Sequence, residues 1–103
     1  MAFQHLTVPQ LEQLISEGTK FNIVDTRDPQ SFALSHIPNA FNLNQSNLEQ
    51  HLSELDMDEP LVVCCYHGIS SQGVAQFLYE RGFEESYSLD GGFEAFENYQ
   101  RAK

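Results

Sequence analysis

Leu61-Val62-Val63-Cys64-Cys65-Tyr66-His67-Gly68-Ile69-Ser70-Ser71 is the stretch that decides the fold. It begins with apolar residues in an unbroken run, without polar alternation. A strand of that kind is buried on both faces, which places it inside a parallel sheet. Cys65 then ends the strand, a short glycine-containing loop follows, and a helix begins at Ser70 or Ser71. Such a turn aims backbone N–H groups and a helix N-terminus at the cysteine sulfur. Both favour the thiolate and make a site for an anion beside it. The thiolate is the nucleophile, so the pattern suits covalent sulfur chemistry or phosphoryl transfer. Cys64 lies one residue earlier and points to the opposite face. It is read as a small buried apolar residue.

The same alternation of strand and helix extends on both sides. Upstream, Thr7 caps a helix that carries Val8, Leu11, Leu14 and Ile15 on one face, with Gln10 in the capping-box position and Gly18 after its end. Phe21 to Val24 reads as a strand ending at Asp25. Asp28-Pro29 opens a short helix through Leu34, since proline suits a first helical position. Ala40 to Leu43 is a further strand. Ser46-Asn47-Leu48-Glu49 reads as a second capping box, with Leu48, Leu52 and Leu55 as the buried stripe behind it. Downstream, the helix after the loop turns Val74, Phe77 and Leu78 inward and stops at Gly82. Glu85 to Leu89 is a strand, Asp90-Gly91-Gly92 is a turn, and Phe93, Phe96 and Tyr99 line one face of a last helix. Phe3 to Leu6 is a weaker strand. The pattern implies an α/β fold, with a mostly parallel central sheet of about five strands and helices on both faces. Sites in such sheets lie beyond the carboxyl ends of the strands. That rule selects Asp25-Thr26-Arg27, Cys65 to Ser71, and Asp90-Gly91-Gly92.

Composition excludes several other functions. The chain has 103 residues, enough for a single domain over residues 1–103. Lys and Arg total 5 against 15 Asp and Glu, for a formal net charge of -10, and the basic residues do not cluster. Nucleic acid and anionic membrane surfaces are therefore not expected partners. No apolar run approaches the roughly 18–20 residues of a membrane helix, and no signal-peptide pattern opens the sequence, so a cytoplasmic protein is expected. The two cysteines are adjacent, which closes no useful loop, and there is no CxxC. His5, His36, His51 and His67 are scattered without metal-ligand spacing, so no metal is expected. A Cys-x5-Arg phosphatase or arsenate reductase is disfavoured, because Ser71 stands where the oxyanion-clamping arginine would be.

Four blocks, in this order and spacing, resemble the rhodanese family of thiosulfate sulfurtransferases, most closely its small single-domain type. They are Val24-Asp25-Thr26-Arg27-Asp28-Pro29-Gln30-Ser31-Phe32, Ser35-His36-Ile37-Pro38-Asn39-Ala40, Cys65 to Ser71, and Ser88-Leu89-Asp90-Gly91-Gly92-Phe93-Glu94-Ala95. The resemblance implies a rhodanese-like fold and catalysis by Cys65, which takes the outer sulfur of thiosulfate as a persulfide and releases sulfite. A thiophilic acceptor, cyanide or a dithiol or a thioredoxin-like protein, then removes the sulfur. Backbone amides of Tyr66, His67, Gly68, Ile69 and Ser70 would hold substrate and persulfide, with Asp25 and Arg27 as structural support and no cofactor. Two other readings share the fold: a persulfide relay to a protein partner and a non-catalytic binding module. Within the family Gly is frequent where this chain has Ser35 and Asn39, and Trp where it has Phe96.

Overall fold

A computed structural model describes residues 2–103. Its strands are β1 (Gln4–Leu6), β2 (Asn22–Asp25), β3 (Phe41–Asn42), β4 (Leu61–Cys64) and β5 (Ser86–Leu89). Its helices are α1 (Val8–Ser16), α2 (Pro29–Leu34), α3 (Leu48–Ser53), α4 (Ser70–Glu80) and α5 (Gly92–Arg101). The strands form one sheet in the order β1-β5-β4-β2-β3, and every pairing is parallel. The expected sheet is present, including the weak first strand.

β4 lies at the centre, between β2 and β5, and all of its residues are buried. Its side chains alternate between two cores. Val62 and Cys64 join Leu6, Val8, Leu11, Leu89, Phe93 and Phe96 on the side of α1 and α5. Leu61 and Val63 join Leu52, Ala75 and Leu78 on the side of α3 and α4. Two-sided burial explains the run without polar alternation.

From β2 the chain runs out to β3, and from β4 it runs the other way to β5. The carboxyl ends of β2 and β4 therefore flank a switch point, the usual place for a site in an open α/β sheet. There the Thr26 amide donates to the Cys64 carbonyl at 2.9 Å.

Thr7 and Asp28 cap α1 and α2 as expected. Each side chain accepts from the third residue of its helix, and Thr7 and Gln10 form the reciprocal box.

Three expectations are corrected. Ser46 caps nothing: the cap position of α3 is Asn47, with no side-chain capping bond. The Asn44 carboxamide oxygen instead collects the Ser46 amide, the Ser46 hydroxyl and the Asn47 amide, a local turn that outcompetes the box. Phe77 does not face inward. Ser71, Ala75 and Leu78 form the buried stripe of α4, and Phe77 is 41% exposed with the Arg81 guanidinium over its ring. Ile15 sits at the edge of the α1 stripe and is likewise exposed. Asn39, where the family often has glycine, adopts φ 70°, the left-handed region that asparagine tolerates best among residues with a Cβ.

Candidate active site

Cys65 follows β4 directly and is 2% exposed, at the floor of a cradle made by the loop to Ser70. The position of its sulfur follows from an uncapped helix. The cap residue of α4 is Ile69, whose side chain can accept nothing, so the first amides of the helix have no capping partner. The Ser71 amide donates to the Cys65 Sγ at 3.3 Å, and the Gly68 amide donates to it at 3.2 Å. The sulfur takes the place of the missing cap. Burial pushes the Cys65 thiol up. The hydroxyls of Ser70 and Ser71 and the amides of Ser71 and Gly68 outweigh burial and bring it down to about 7. The lowered thiol favours the nucleophilic thiolate near neutrality. Burial raises Cys64 well above the ordinary thiol range, with the Asp25 charge adding to the effect, so it stays an inert thiol in the core.

The loop is held from below by the turn into α5. Gly91 and Gly92 have φ of 74° and 61°, and a Cβ on Gly92 would lie 2.5 Å from the Cys65 carbonyl and 2.7 Å from the amides of His67 and Gly68. Only glycine permits that approach. The cap of α5 is Gly91, which has no side chain to offer. Its free amides serve the loop instead: Phe93 donates to the Cys65 carbonyl at 2.7 Å and Glu94 to the Tyr66 carbonyl at 3.1 Å. Asp90-Gly91-Gly92 is thus a turn and helix start, as its sequence suggests, and also the bed of the loop.

Tyr66, His67, Ile69 and Ser70 form the exposed wall of the cradle, while Gly68 is buried beneath it. The Tyr66 hydroxyl reaches the Asp28 carboxylate at the cap of α2, with Ser31 Oγ 3.1 Å away. His67 Nδ1 lies 3.5 Å from Glu94 at the solvent edge. Asp25 and Arg27 lie under the site. The Arg27 guanidinium donates to both Asp25 carboxylate oxygens and, at 2.7 Å, to the Ser35 carbonyl. It also stacks 4.0 Å from the centre of the Phe93 ring. Both residues are buried, and their bonds tie β2 to the segment after α2 and to α5. His36 is part of the scaffold too, with its Nδ1 2.8 Å from the Phe32 carbonyl.

Two contacts in the floor of the site fall outside the sequence reading. The Ser71 amide donates to Sγ, one residue beyond the expected amides. Ser88 of β5 meets Ser71 from beneath, Oγ to Oγ at 2.7 Å. The first was detectable from the absent capping side chain at Ile69. The second was not, because the pairing of β4 with β5 places it. Among the described residues no group of three or more His, Cys, Asp or Glu could hold a metal ion, and no helix is long and apolar enough to cross a membrane.

A family model described as Rhodanese-like domain matches residues 7–99. A Shewanella oneidensis protein named thiosulfate sulfurtransferase GlpE is 56% identical over 95 residues, covering 92% of this chain and 93% of that protein. A Vibrio cholerae protein of the same name is 49% identical over 94 residues, covering 91% and 88%. Among solved structures, a rhodanese-like domain protein from Staphylococcus aureus superposes with a TM-score of 0.77 at 25% identity, over 93% of this chain and 91% of that one.

Proposed function

Because the chain belongs to the rhodanese-like domain family, we propose that it is a single-domain thiosulfate sulfurtransferase in which Cys65 carries the sulfur. The observation that supports this most directly is the sulfur seated on the amides of Gly68 and Ser71 at the start of α4, with a thiol brought to about 7. In the first half-reaction the Cys65 thiolate attacks the outer sulfur of thiosulfate. A new S–S bond forms, the bond within thiosulfate breaks, and sulfite leaves with its electron pair. The loop amides and the α4 N-terminus receive the negative charge of donor and persulfide. In the second half-reaction a thiophile such as cyanide or a dithiol attacks the outer sulfur of the persulfide, and the electron pair returns to Sγ as thiolate. No cofactor takes part. Tyr66, 43% exposed, and Ile69, 76% exposed, put apolar surface around the sulfur. That surface favours a thiol-bearing protein, thioredoxin-like in kind, as one acceptor. A nucleophile that must stay reduced suits the cytoplasm.

A phosphatase reading lacks its cation. Ser71 is buried against Ser88 where a clamping guanidinium would stand, and Arg27 is committed to Asp25 and Ser35. The test is intact-mass measurement after incubation with thiosulfate. The parent protein and Cys64→Ala gain one sulfur atom that cyanide removes, and Cys65→Ser gains none. Sulfur retained on Cys65→Ser, or none on the parent, defeats the proposal.

A further inference from the structure

Gln72 is the third residue of α4, and the cap residue of that helix is Ile69. A glutamine in this position ordinarily reaches back and takes the cap residue's amide on its carboxamide oxygen, closing a capping box. The chain does this in α1, where Gln10 Oε1 accepts from the Thr7 amide at 2.8 Å. In α4 the side chain does the reverse. Gln72 Nε2 donates to the Gly68 carbonyl at 2.8 Å, the other side of the peptide whose N–H belongs to Ile69. The partner identifies which end of the carboxamide is used, because a carbonyl oxygen only accepts. The Gln72 backbone amide also donates to the Ile69 carbonyl, at 3.2 Å. One residue thus draws two consecutive loop carbonyls toward α4.

A trans peptide is planar, with its C=O and N–H on opposite sides. Drawing the Gly68 carbonyl onto Gln72 therefore turns the Ile69 N–H the other way, off the helix. That N–H has no partner among the described residues. Gly68 and Ser71, on either side of it in the chain, both spend their amides on Cys65 Sγ. The Ile69 amide lies between them and is not spent. The stretch from Cys65 to Ser71 holds no Lys or Arg, so an anion beside the sulfur depends on backbone donors of this kind.

We propose that Gln72 is a positioning residue for the sulfur donor: by holding the Gly68 carbonyl it keeps the Ile69 amide out of a capping box and turned into the cradle, where that amide receives the anionic sulfonate end of thiosulfate. The inference rests on the reading of Cys65 as the sulfur carrier. Gln72 acts through the peptide. A box closed as in α1 would satisfy the helix end and cost the cradle a donor to charge, the stronger class of hydrogen bond.

The experiment compares two electrophiles at one sulfur, in the full chain at about pH 9, above the titration of the Cys65 thiol. Thiosulfate is a dianion and draws on the donors of the cradle, whereas iodoacetamide is neutral and does not. Both reactions are read by intact mass. Gln72→Met keeps the side-chain length and a good helix former but cannot donate. In this variant, loading from limiting thiosulfate should slow about tenfold while alkylation stays within about twofold of the parent. Alkylation is spared because the amides that hold Sγ belong to other peptides. The carboxylate of Gln72→Glu only accepts and closes the box on the Ile69 amide. Its melting temperature should hold or rise while loading falls at least as far as in Gln72→Met. A purely structural role would lower melting temperature and slow both reagents together. Parental loading in either variant overturns the proposal, as does an equal loss with both reagents in Gln72→Met. Protection of Cys65 from iodoacetamide by sulfate, an inert dianion, separates this step from the sulfur-carrier reading. A parent that loads no sulfur loses that reading. The role of Gln72 then stands if sulfate protects the parent at about tenfold lower concentration than Gln72→Met, and falls if the two are protected equally.

Discussion

Replacing Gly92 with alanine would set one methyl group against three backbone atoms. The added Cβ lies 2.5 Å from the Cys65 carbonyl oxygen, against the 3.4 Å where ordinary contact begins, a shortfall of about 0.9 Å. It lies 2.7 Å from the amide nitrogens of Gly68 and His67, a shortfall of about 0.7 Å. Backbone on both sides cannot rotate away as a side chain would. The loop must lift off α5, and the Cys65 carbonyl would pull away from the Phe93 amide that now holds it at 2.7 Å. The positive φ adds about 1–2 kcal/mol for a residue with a Cβ, and overpacking adds about 1–3 kcal/mol. A total of roughly 2–5 kcal/mol is a large part of the 5–15 kcal/mol typical of a domain. Melting temperature should fall by about 8 °C or more. The Gly68 amide, now 3.2 Å from Sγ, moves with the loop. Alkylation of Cys65 should then titrate above 7, and sulfur loading near neutral pH should slow. Gly18→Ala is the control: its φ is 69°, but its Cβ would meet nothing within 4 Å, so it carries the backbone strain alone. Differential scanning calorimetry and mass-detected sulfur loading compare the two variants with the parent. A Gly92→Ala protein that melts within about 2 °C of Gly18→Ala and loads sulfur at the parental rate refutes the account of the loop's bed.

Arg27→Met leaves the buried Asp25 carboxylate unpaired and should cost about 3–5 kcal/mol in urea melts, with turnover per folded molecule unchanged. A fully folded but inactive variant would move Arg27 into the chemistry. The Cys65 thiol is lowered in the folded chain, so its contribution to stability is present above the ordinary thiol range and is lost as pH falls through about 7. The stability gap between the parent and Cys65→Ser should therefore widen from pH 7 to pH 9, by at most about 3 kcal/mol, and a gap that narrows contradicts the assignment. Sulfur loading at low thiosulfate should rise about tenfold per pH unit below 7 and level off above it. The stretch from Cys65 to Ser71 holds no Lys or Arg and the chain carries a net charge of -10. Raising salt from about 0.01 to 0.1 M, which shortens the Debye length from about 30 to 10 Å, should leave KM for thiosulfate flat or lower it. A several-fold rise would reveal a cation at the site.

What was legible in the sequence were features with a local physical signature. Burial on both faces wrote itself into Leu61 to Cys64, and the Thr7 and Asp28 caps were readable because a capping oxygen bonds only three residues ahead. Cys65 was readable because a nucleophile at a strand end before a helix is itself a local pattern. Ser46 misled because Asn44, two residues earlier, takes both its amide and its hydroxyl into a local turn. Phe77 misled because the helix places Ser71, Ala75 and Leu78 on the buried face, and hydrophobicity alone does not reveal which side meets the sheet. The contacts of Ser88 with Ser71, and of Phe93 and Glu94 with the loop carbonyls, join residues far apart in sequence. They follow from the pairing of β4 with β5, which no local pattern encodes.

The grip of α5 on the loop also sets an order of events during synthesis. Translation delivers Cys65 before Gly92, Phe93 and Glu94, and domains fold as the chain emerges, at about 5–20 residues per second. Until those later residues arrive, the Cys65 and Tyr66 carbonyls lack the amides that anchor them, and β5, whose Ser88 meets Ser71 of α4, has not joined the sheet. In that interval the thiol behaves as an ordinary cysteine, mostly protonated at neutral pH. The cradle around the thiol is held in its final shape only once the α5 amides have docked on the loop carbonyls.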